Sequence, residues 1–240
     1  MKWTFDIHNT AQRLFVLTGA GISAESGVRT FRDSGGLWED HRIEDVATPE
    51  GFARDSQLVI DFYNARRLQL KAVFPNPAHL ALARLQKQLG ERMTLVTQNV
   101  DDLHERGGSP KVIHMHGELL KLRCLSLAEH IVEVSERQKM DSVCPQCGAG
   151  LRPHITWFGE IPMQMELIQQ ELLQCSHFVY IGTSSQVYPA AGFKAFAKSR
   201  GAIVMCINLD VEPDSHTDLV LQGKAGEVVP NWVQGILAPG

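Results

Sequence analysis

Short apolar runs rich in β-branched residues alternate along this chain with stretches of helical periodicity, which predicts an α/β fold: a Rossmann-like parallel sheet covered by helices. A second observation agrees, because a glycine-rich turn, "VLTGAGISAESG", directly follows the first run. The third is size. With 240 residues, 44% of them hydrophobic, the chain can bury a substantial core as one domain carrying a small insertion. The formal net charge of −4 supplies no basic stripe to neutralise phosphates, so no nucleic-acid binding is expected. Every apolar run falls short of the roughly 18 to 20 residues a membrane helix requires. "MKWTFDIHNTAQRLF" lacks the apolar core of a signal peptide, so a soluble, cytoplasmic protein without membrane partners is expected.

Taken in order, "LFVLTG" (14–19) is the first strand, and a helical insertion occupies about 32–75. Inside it, "VIDFYNARRLQL" aligns Val59, Phe62, Tyr63 and Leu70 on one stripe at helical spacing, and Arg66 falls on the same stripe. "PNPAHLALARLQKQLG" is a helix with Asn76 as cap, Pro77 in the first turn and Gly90 as terminator. "MTLVTQ" (93–98), "KVIHMHG" (111–117), "HFVYIGTS" (177–184) and "GAIVMCINLD" (201–210) are further strands. The stretch 121–157 has little periodicity and carries three of the five cysteines. The sheet-forming part is thus placed at about 1–31, 76–120 and 158–240. The inserted module takes 32–75 and 121–157, as a lid beside the sheet.

In the glycine turn, Gly19, Gly21 and Ala24 have the spacing of a dinucleotide loop, where backbone amides approach a pyrophosphate at a helix N-terminus. The same residues also suit a tight strand-to-helix turn. A dehydrogenase would next show Asp or Glu closing a second strand about 20 residues on. Instead comes "GVRTFRDSGGLWED", a poor crossover helix and a candidate mobile lid ending in Trp38.

These segments, followed in order by "TQNVDDLHERGG", "VIHMHGELLKLRC", "WFGE", "GTSSQVYPAAG" and "NLD", resemble the sirtuin family of NAD-dependent protein lysine deacylases over nearly the whole chain. The resemblance implies that NAD is consumed. The amide oxygen of an acylated lysine attacks the ribose carbon bearing nicotinamide, nicotinamide leaves, and the acyl group ends on ADP-ribose. It further implies that His116 is the general base, aided by Asn99 and Asp101, and that Gly19, Ala20, Gly21 and Ala24 line the cofactor. Phe31 would cover the vacated nicotinamide position, with Arg32 and Trp38 nearby. Gln98, Asn99, Val100 and Asp101 would meet ribose and nicotinamide; Gly182, Thr183 and Ser184 would cradle phosphate or ribose; Asn208, Leu209 and Asp210 would face the adenosine ribose, with Ala225 against the adenine. Asp101 equally suits a helix cap. Strand alternation points His114 and His116 the same way, and only the family's His-Gly pattern singles out His116.

"TWFGE" and "SSQVYPA" resemble the two edges between which the family clamps an acyl-lysine protein or peptide as an extended strand, which places Phe158, Gly159, Glu160 and Val187 at the substrate. Trp157 suits core packing nearly as well. Tyr63 and Arg66, three residues apart, resemble the branch that removes dicarboxylic acyl groups; together they would hold the carboxylate of a succinyl or malonyl chain, with the small Ala47 leaving a deep pocket. An arginine bridging a neighbouring carboxylate or reaching to water is the alternative.

Cys124 with Cys144 and Cys147 gives three of the four thiolates of a zinc-ribbon-like site, and Leu127 stands where the family pattern has the fourth. His130 is the candidate replacement, since Cys₃His is an ordinary structural zinc set; water, a carboxylate or loss of metal are the other possibilities. Cys175 and Cys206 lie in apolar segments and are expected to be buried, reduced thiols. The reading is therefore an NAD-dependent enzyme that removes succinyl, malonyl and acetyl groups from lysine, with one structural zinc. The rivals are a redox dehydrogenase, a mono-ADP-ribosyltransferase and a catalytically silent NAD-linked binder of acylated lysine.

Overall fold

The computed structural model describes residues 3–28, 41–184, 187–211 and 214–238, and 37–38 in their backbone. Strand β1 (Leu14–Thr18) is followed by a short hairpin of β2 (Leu37–Trp38) and β3 (His41–Arg42), then by helices α1 (Ile43–Val46), α2 (Pro49–Arg54), α3 (Ser56–Leu70) and α4 (Pro77–Leu89). Next come β4 (Met93–Thr97), α5 (Leu103–Arg106), β5 (Ile113–His114), β6 (Gly117–Cys124), β7 (Ile131–Glu133) and β8 (Leu151–Ile155). The chain ends with α6 (Met165–Gln174), β9 (His177–Ile181), α7 (Ala190–Ser199), β10 (Ile203–Asn208), β11 (Leu219–Gln222) and α8 (Ala225–Leu237).

Six strands pair in parallel in the order β11-β10-β9-β1-β4-β5. Every residue of β1 is buried, and alternation explains how. Leu14 and Val16 join the core under α4 and α8, while Phe15 and Leu17 join the one under α6 and α7. The chain leaves β1 toward β4 and β5, then returns to its other side for β9, β10 and β11. The direction of winding reverses between β1 and β9, which is where open α/β sheets bind ligands beyond the carboxyl ends of their strands.

The helix expected over "PNPAHLALARLQKQLG" forms as read: Asn76 Oδ1 accepts from the Ala78 amide at 3.0 Å, Pro77 opens the helix and Gly90 closes it. Other expectations need correcting. The glycine turn does not enter an α-helix but makes two 3-10 turns, Ala20–Ile22 and Ala24–Ser26. "KVIHMHG" is not one regular strand, because pairing with β4 stops at His114. The weakly periodic segment folds as an antiparallel sheet in the order β7-β6-β8, and that sheet begins at Gly117.

The buried stripe of α3 holds Val59, Phe62, Tyr63 and Leu70 as read, and the correction concerns the arginines. Arg67, 2% exposed, enters the interior, and Arg66, half-buried overall, has Nε and Nη1 shielded from solvent with its guanidinium 5.1 Å from the centre of the Phe62 ring. Arg67 avoids the cost of an unpaired buried charge by donating from Nε to the Leu119 carbonyl at 2.6 Å and from Nη1 to Asn64 Oδ1 at 3.0 Å. Burial still lowers its pKa to about 10.

Candidate active site at the strand ends

Apart from those in the segment after Gly27, the residues read as cofactor-binding lie at or beyond the carboxyl ends of parallel strands: Gly19, Ala20, Gly21 and Ala24 after β1, Gln98 to Asp101 after β4, Gly182 to Ser184 after β9, Asn208 closing β10 with Leu209 and Asp210 after it, and Ala225 after β11. Backbone bonds carry the sheet past the strands, from Gly19 N to Ile181 O at 3.0 Å, Gln98 N to Thr18 O at 2.9 Å and Gly182 N to Ile207 O at 3.0 Å. Gly21 N donates to Gly182 O at 2.8 Å, and a Cβ on Gly21 would stand 2.7 Å from the Gly182 Cα. The glycines are therefore required first by the close packing of the β1 and β9 loops. Asn208 Nδ2 donates to the Thr183 carbonyl at 3.0 Å and Gln98 Nε2 to Thr183 Oγ1 at 3.0 Å, which ties three strand ends together. Glu25 accepts from the Gly226 amide at 2.7 Å and joins the glycine turn to the start of α8, where Ala225 lies. Phe31 and Arg32 lie outside the described residues, as does the side chain of Trp38.

Beneath this floor is a buried polar chain that the sequence reading missed. Ser23 Oγ donates to Asp101 Oδ2 at 3.0 Å and accepts from Asn99 Nδ2 at 3.0 Å. His79 Nδ1 accepts from the Asn76 amide at 3.3 Å, so its proton sits on Nε2, which lies 3.4 Å from Ser23 Oγ. That ring stays neutral, because burial pushes its pKa down to about 4. Asp101 Oδ1 also accepts from the Leu103 amide at 3.1 Å, one residue before the N-cap of α5, so it supports the start of that helix; burial raises its pKa. His79 was legible in principle, since it shares the apolar stripe of α4 with Leu82 and Gln86.

The structure separates the two histidines that alternation could not. His114 is buried at the end of β5, 2.7 Å from Glu105 Oε1. Burial alone would lower its pKa, but the Glu105 carboxylate outweighs it and the net shift is upward. His116 stands two residues later, past the strand end, with Nδ1 3.1 Å from the Gln98 carbonyl. A carbonyl only accepts, so Nδ1 carries the hydrogen and Nε2 is the basic nitrogen. Burial lowers this pKa against the Gln98 bond, which favours the neutral ring.

Ala47, Phe62, Tyr63 and Trp157 meet in one apolar cluster beside this floor. Phe158, 48% exposed, donates its amide to the Ala47 carbonyl at 2.9 Å, and Gly159 takes a positive φ of 89° in the turn that follows. Val187 is exposed on the β9–α7 connection. Glu160 turns inward instead. Its carboxylate pairs with Arg152 at 2.7 and 3.0 Å and with Arg123 at 2.8 Å, so it braces the turn.

With this geometry in place, comparison with known proteins decides the family. The Sir2 family model matches residues 19–189. The chain belongs to the Sir2 family. An NAD-dependent protein deacylase of Escherichia coli strain K12 is 53% identical over 231 residues, spanning 94% of this chain and 82% of its own length. One from Vibrio cholerae serotype O1 is 53% identical over 232 residues, spanning 95% and 94%. Among solved structures, a Sir2 homolog bound to NAD matches with a TM-score of 0.84 at 40% identity, covering 96% of this chain and 92% of that one. A Sir2 bound to acetylated peptide matches at 0.78 with 27% identity over 94% of each.

The Sir2 module bearing the cysteines brings together Cys124, His130, Cys144 and Cys147, with all ligand atoms within 4.8 Å of one another. Cys124 and Cys147 sulfurs are 3.4 Å apart, and His130 Nδ1 is 3.5 Å from Cys144 Sγ. Edges of about 3.3 to 3.8 Å are what a tetrahedron with zinc bonds of about 2.0 to 2.3 Å requires, so the four could hold one zinc ion. Leu127 does not leave a gap: its carbonyl accepts from the His130 amide at 3.0 Å, and this turn carries the imidazole to the cluster. No helix among the described residues is long and apolar enough to cross a membrane.

Proposed function

We propose that this Sir2-family chain is an NAD-dependent protein lysine deacylase that transfers acyl groups from lysine to ADP-ribose, and that it accepts dicarboxylic acyl groups, succinyl and malonyl, as well as acetyl. The observation that carries the reaction is the His116 ring, held by the Gln98 carbonyl at 3.1 Å with its basic Nε2 left over. In that state it takes the proton from a ribose hydroxyl, which then attacks the activated acyl carbon. Asn99 and Asp101, fixed by Ser23, present polar groups at the same strand ends, where the departing nicotinamide leaves positive character on the ribose. An acyl-lysine peptide lies as an extended strand between Phe158–Gly159 and Val187, with Glu160 bracing one edge. The cysteine–histidine cluster, with zinc bound, holds its module in shape and takes no part in the chemistry.

The acyl preference is supported by Tyr63 and Arg66, three residues apart on α3, with Ala47 in the same cluster. A phenol and a guanidinium on one helix face suit a terminal carboxylate, for about 1.5 to 3 kcal/mol. That corresponds to roughly ten- to a hundredfold in preference.

The test is incubation with NAD and matched succinyl- and acetyl-lysine peptides, followed by identification of nicotinamide and O-acyl-ADP-ribose. Arg66→Met should depress succinyl turnover about ten- to a hundredfold while acetyl turnover survives. Equal loss on both peptides would remove the acyl assignment, and NADH as product would replace deacylation with redox chemistry.

A further inference from the structure

The indole of Trp157 is 1% exposed, and its N–H ends on the Tyr63 hydroxyl oxygen at 2.9 Å. An indole nitrogen can only donate. The phenol oxygen must therefore accept from it, which turns the Tyr63 O–H hydrogen away from Trp157. Burial pushes the Tyr63 pKa far above its ordinary value, so the phenol remains a neutral donor.

The indole is immobilised by its neighbours. The Arg152 guanidinium lies 3.3 Å from the ring centre, and the Phe52 ring is 5.3 Å away. Glu160 Oε2 accepts from the Trp157 backbone amide at 2.8 Å while the same carboxylate grips Arg152. One residue on, Phe158 is bonded to the Ala47 carbonyl at 2.9 Å. The turn 157–160 and two residues assigned above to the acyl group, Ala47 and Tyr63, thus form one braced unit.

We propose that Trp157 is a specificity-positioning residue: its indole N–H fixes the Tyr63 hydroxyl as a donor aimed at the terminal carboxylate of a dicarboxylic acyl chain. This rests on the acyl reading above and deepens it. An acetyl group has no carboxylate to receive that hydrogen, so the device acts on one substrate class and should appear in the ratio between classes. Without the indole N–H, the phenol oxygen loses that hydrogen bond, and the direction of its O–H is no longer set by Trp157.

The experiment compares kcat and KM on matched succinyl- and acetyl-lysine peptides for the full chain, Trp157→Phe, and a chain carrying β-(benzothienyl)alanine at position 157. The last keeps the indole shape and loses only the N–H, so it decides the matter even if Trp157→Phe folds poorly. Each change is repeated in a Tyr63→Phe background. Loss of one neutral hydrogen bond should lower the succinyl-to-acetyl ratio of kcat/KM roughly two- to tenfold, mainly through KM for the succinyl peptide. No further fall is expected once Tyr63 is Phe. If Tyr63→Phe lowers the ratio and the benzothienyl chain does not, the Trp157 inference falls while the acyl reading stands. An equal fall in both Tyr63 backgrounds overturns it as well. If Tyr63→Phe itself leaves the ratio unchanged, reading and inference fall together.

Discussion

At the scale of single residues, proton placement distinguishes His116 from His114. Both lie in "VIHMHG", yet they end in opposite electrostatic settings because β5 stops at His114 and the chain turns before His116. The Glu105 carboxylate raises the pKa of His114, and burial lowers that of His116. The sign has a consequence for activity. A general base works as the neutral ring, so with His116 in that role activity persists below pH about 6.5 and falls only as pH drops through the depressed value. A pH profile of kcat/KM on an acyl-lysine peptide should show its acid limb below about 6.5. A limb above that value would point to His114 instead. Residue identity was legible in the sequence; side-chain destination was not. Arg66 and Arg67 are neighbours at the edge of one stripe, and only the Leu119 carbonyl and Asn64, contributed partly by a distant strand, select Arg67 for the interior.

At the scale of elements, legibility followed how local the determining contacts are. The α4 helix was readable because Asn76, Pro77 and Gly90 set its ends within their own turns. The β6-β7-β8 sheet was not readable, since β6 is only partly buried in an irregular pattern and its pairing with β8 shifts register between Gly117 and Leu122. This sheet is stapled to α3. Asn64 and the Gln138 backbone exchange two bonds, at 2.9 and 2.8 Å, Gln138 Nε2 reaches the Leu151 carbonyl at 2.8 Å, and Arg137 meets Asp61 at 3.0 Å. The helix carrying Tyr63 and Arg66 therefore leans on the module whose ends are gathered by Cys124, His130, Cys144 and Cys147. Purified protein should contain one zinc per chain. Chelation or His130→Ala should lower both metal content and melting temperature, because metal-binding free energy is folding free energy in such modules. A metal-free chain with an unchanged melting temperature would remove zinc from the description.

At the scale of the whole molecule, the parallel strand order brings five separate strand ends to one edge of the sheet, and this explains why short motifs scattered over the chain could be read together. The parallel class was legible in the apolar runs because strands buried on both faces leave little room for polar residues. The strand ends were legible because small and polar residues begin there. The reason for the glycines was only partly legible. Gly21 and Gly182 meet where the β1 and β9 loops pack, a contact between residues far apart in sequence that spacing within either motif cannot reveal. The bonds that join Ser23 to Asp101 and Asn99 escaped notice for the same reason, since Ser23 looks like an ordinary turn residue until the strands are aligned.

The proposed mechanism rests most directly on the imidazole at the end of this assembly. The measurement that tests it is the rate of O-acyl-ADP-ribose formation from NAD and a succinyl-lysine peptide by a His116→Ala chain shown by melting temperature to be folded. Removal of a general base should slow that transfer about a hundred- to ten-thousandfold. Transfer at the parent rate would contradict the mechanism.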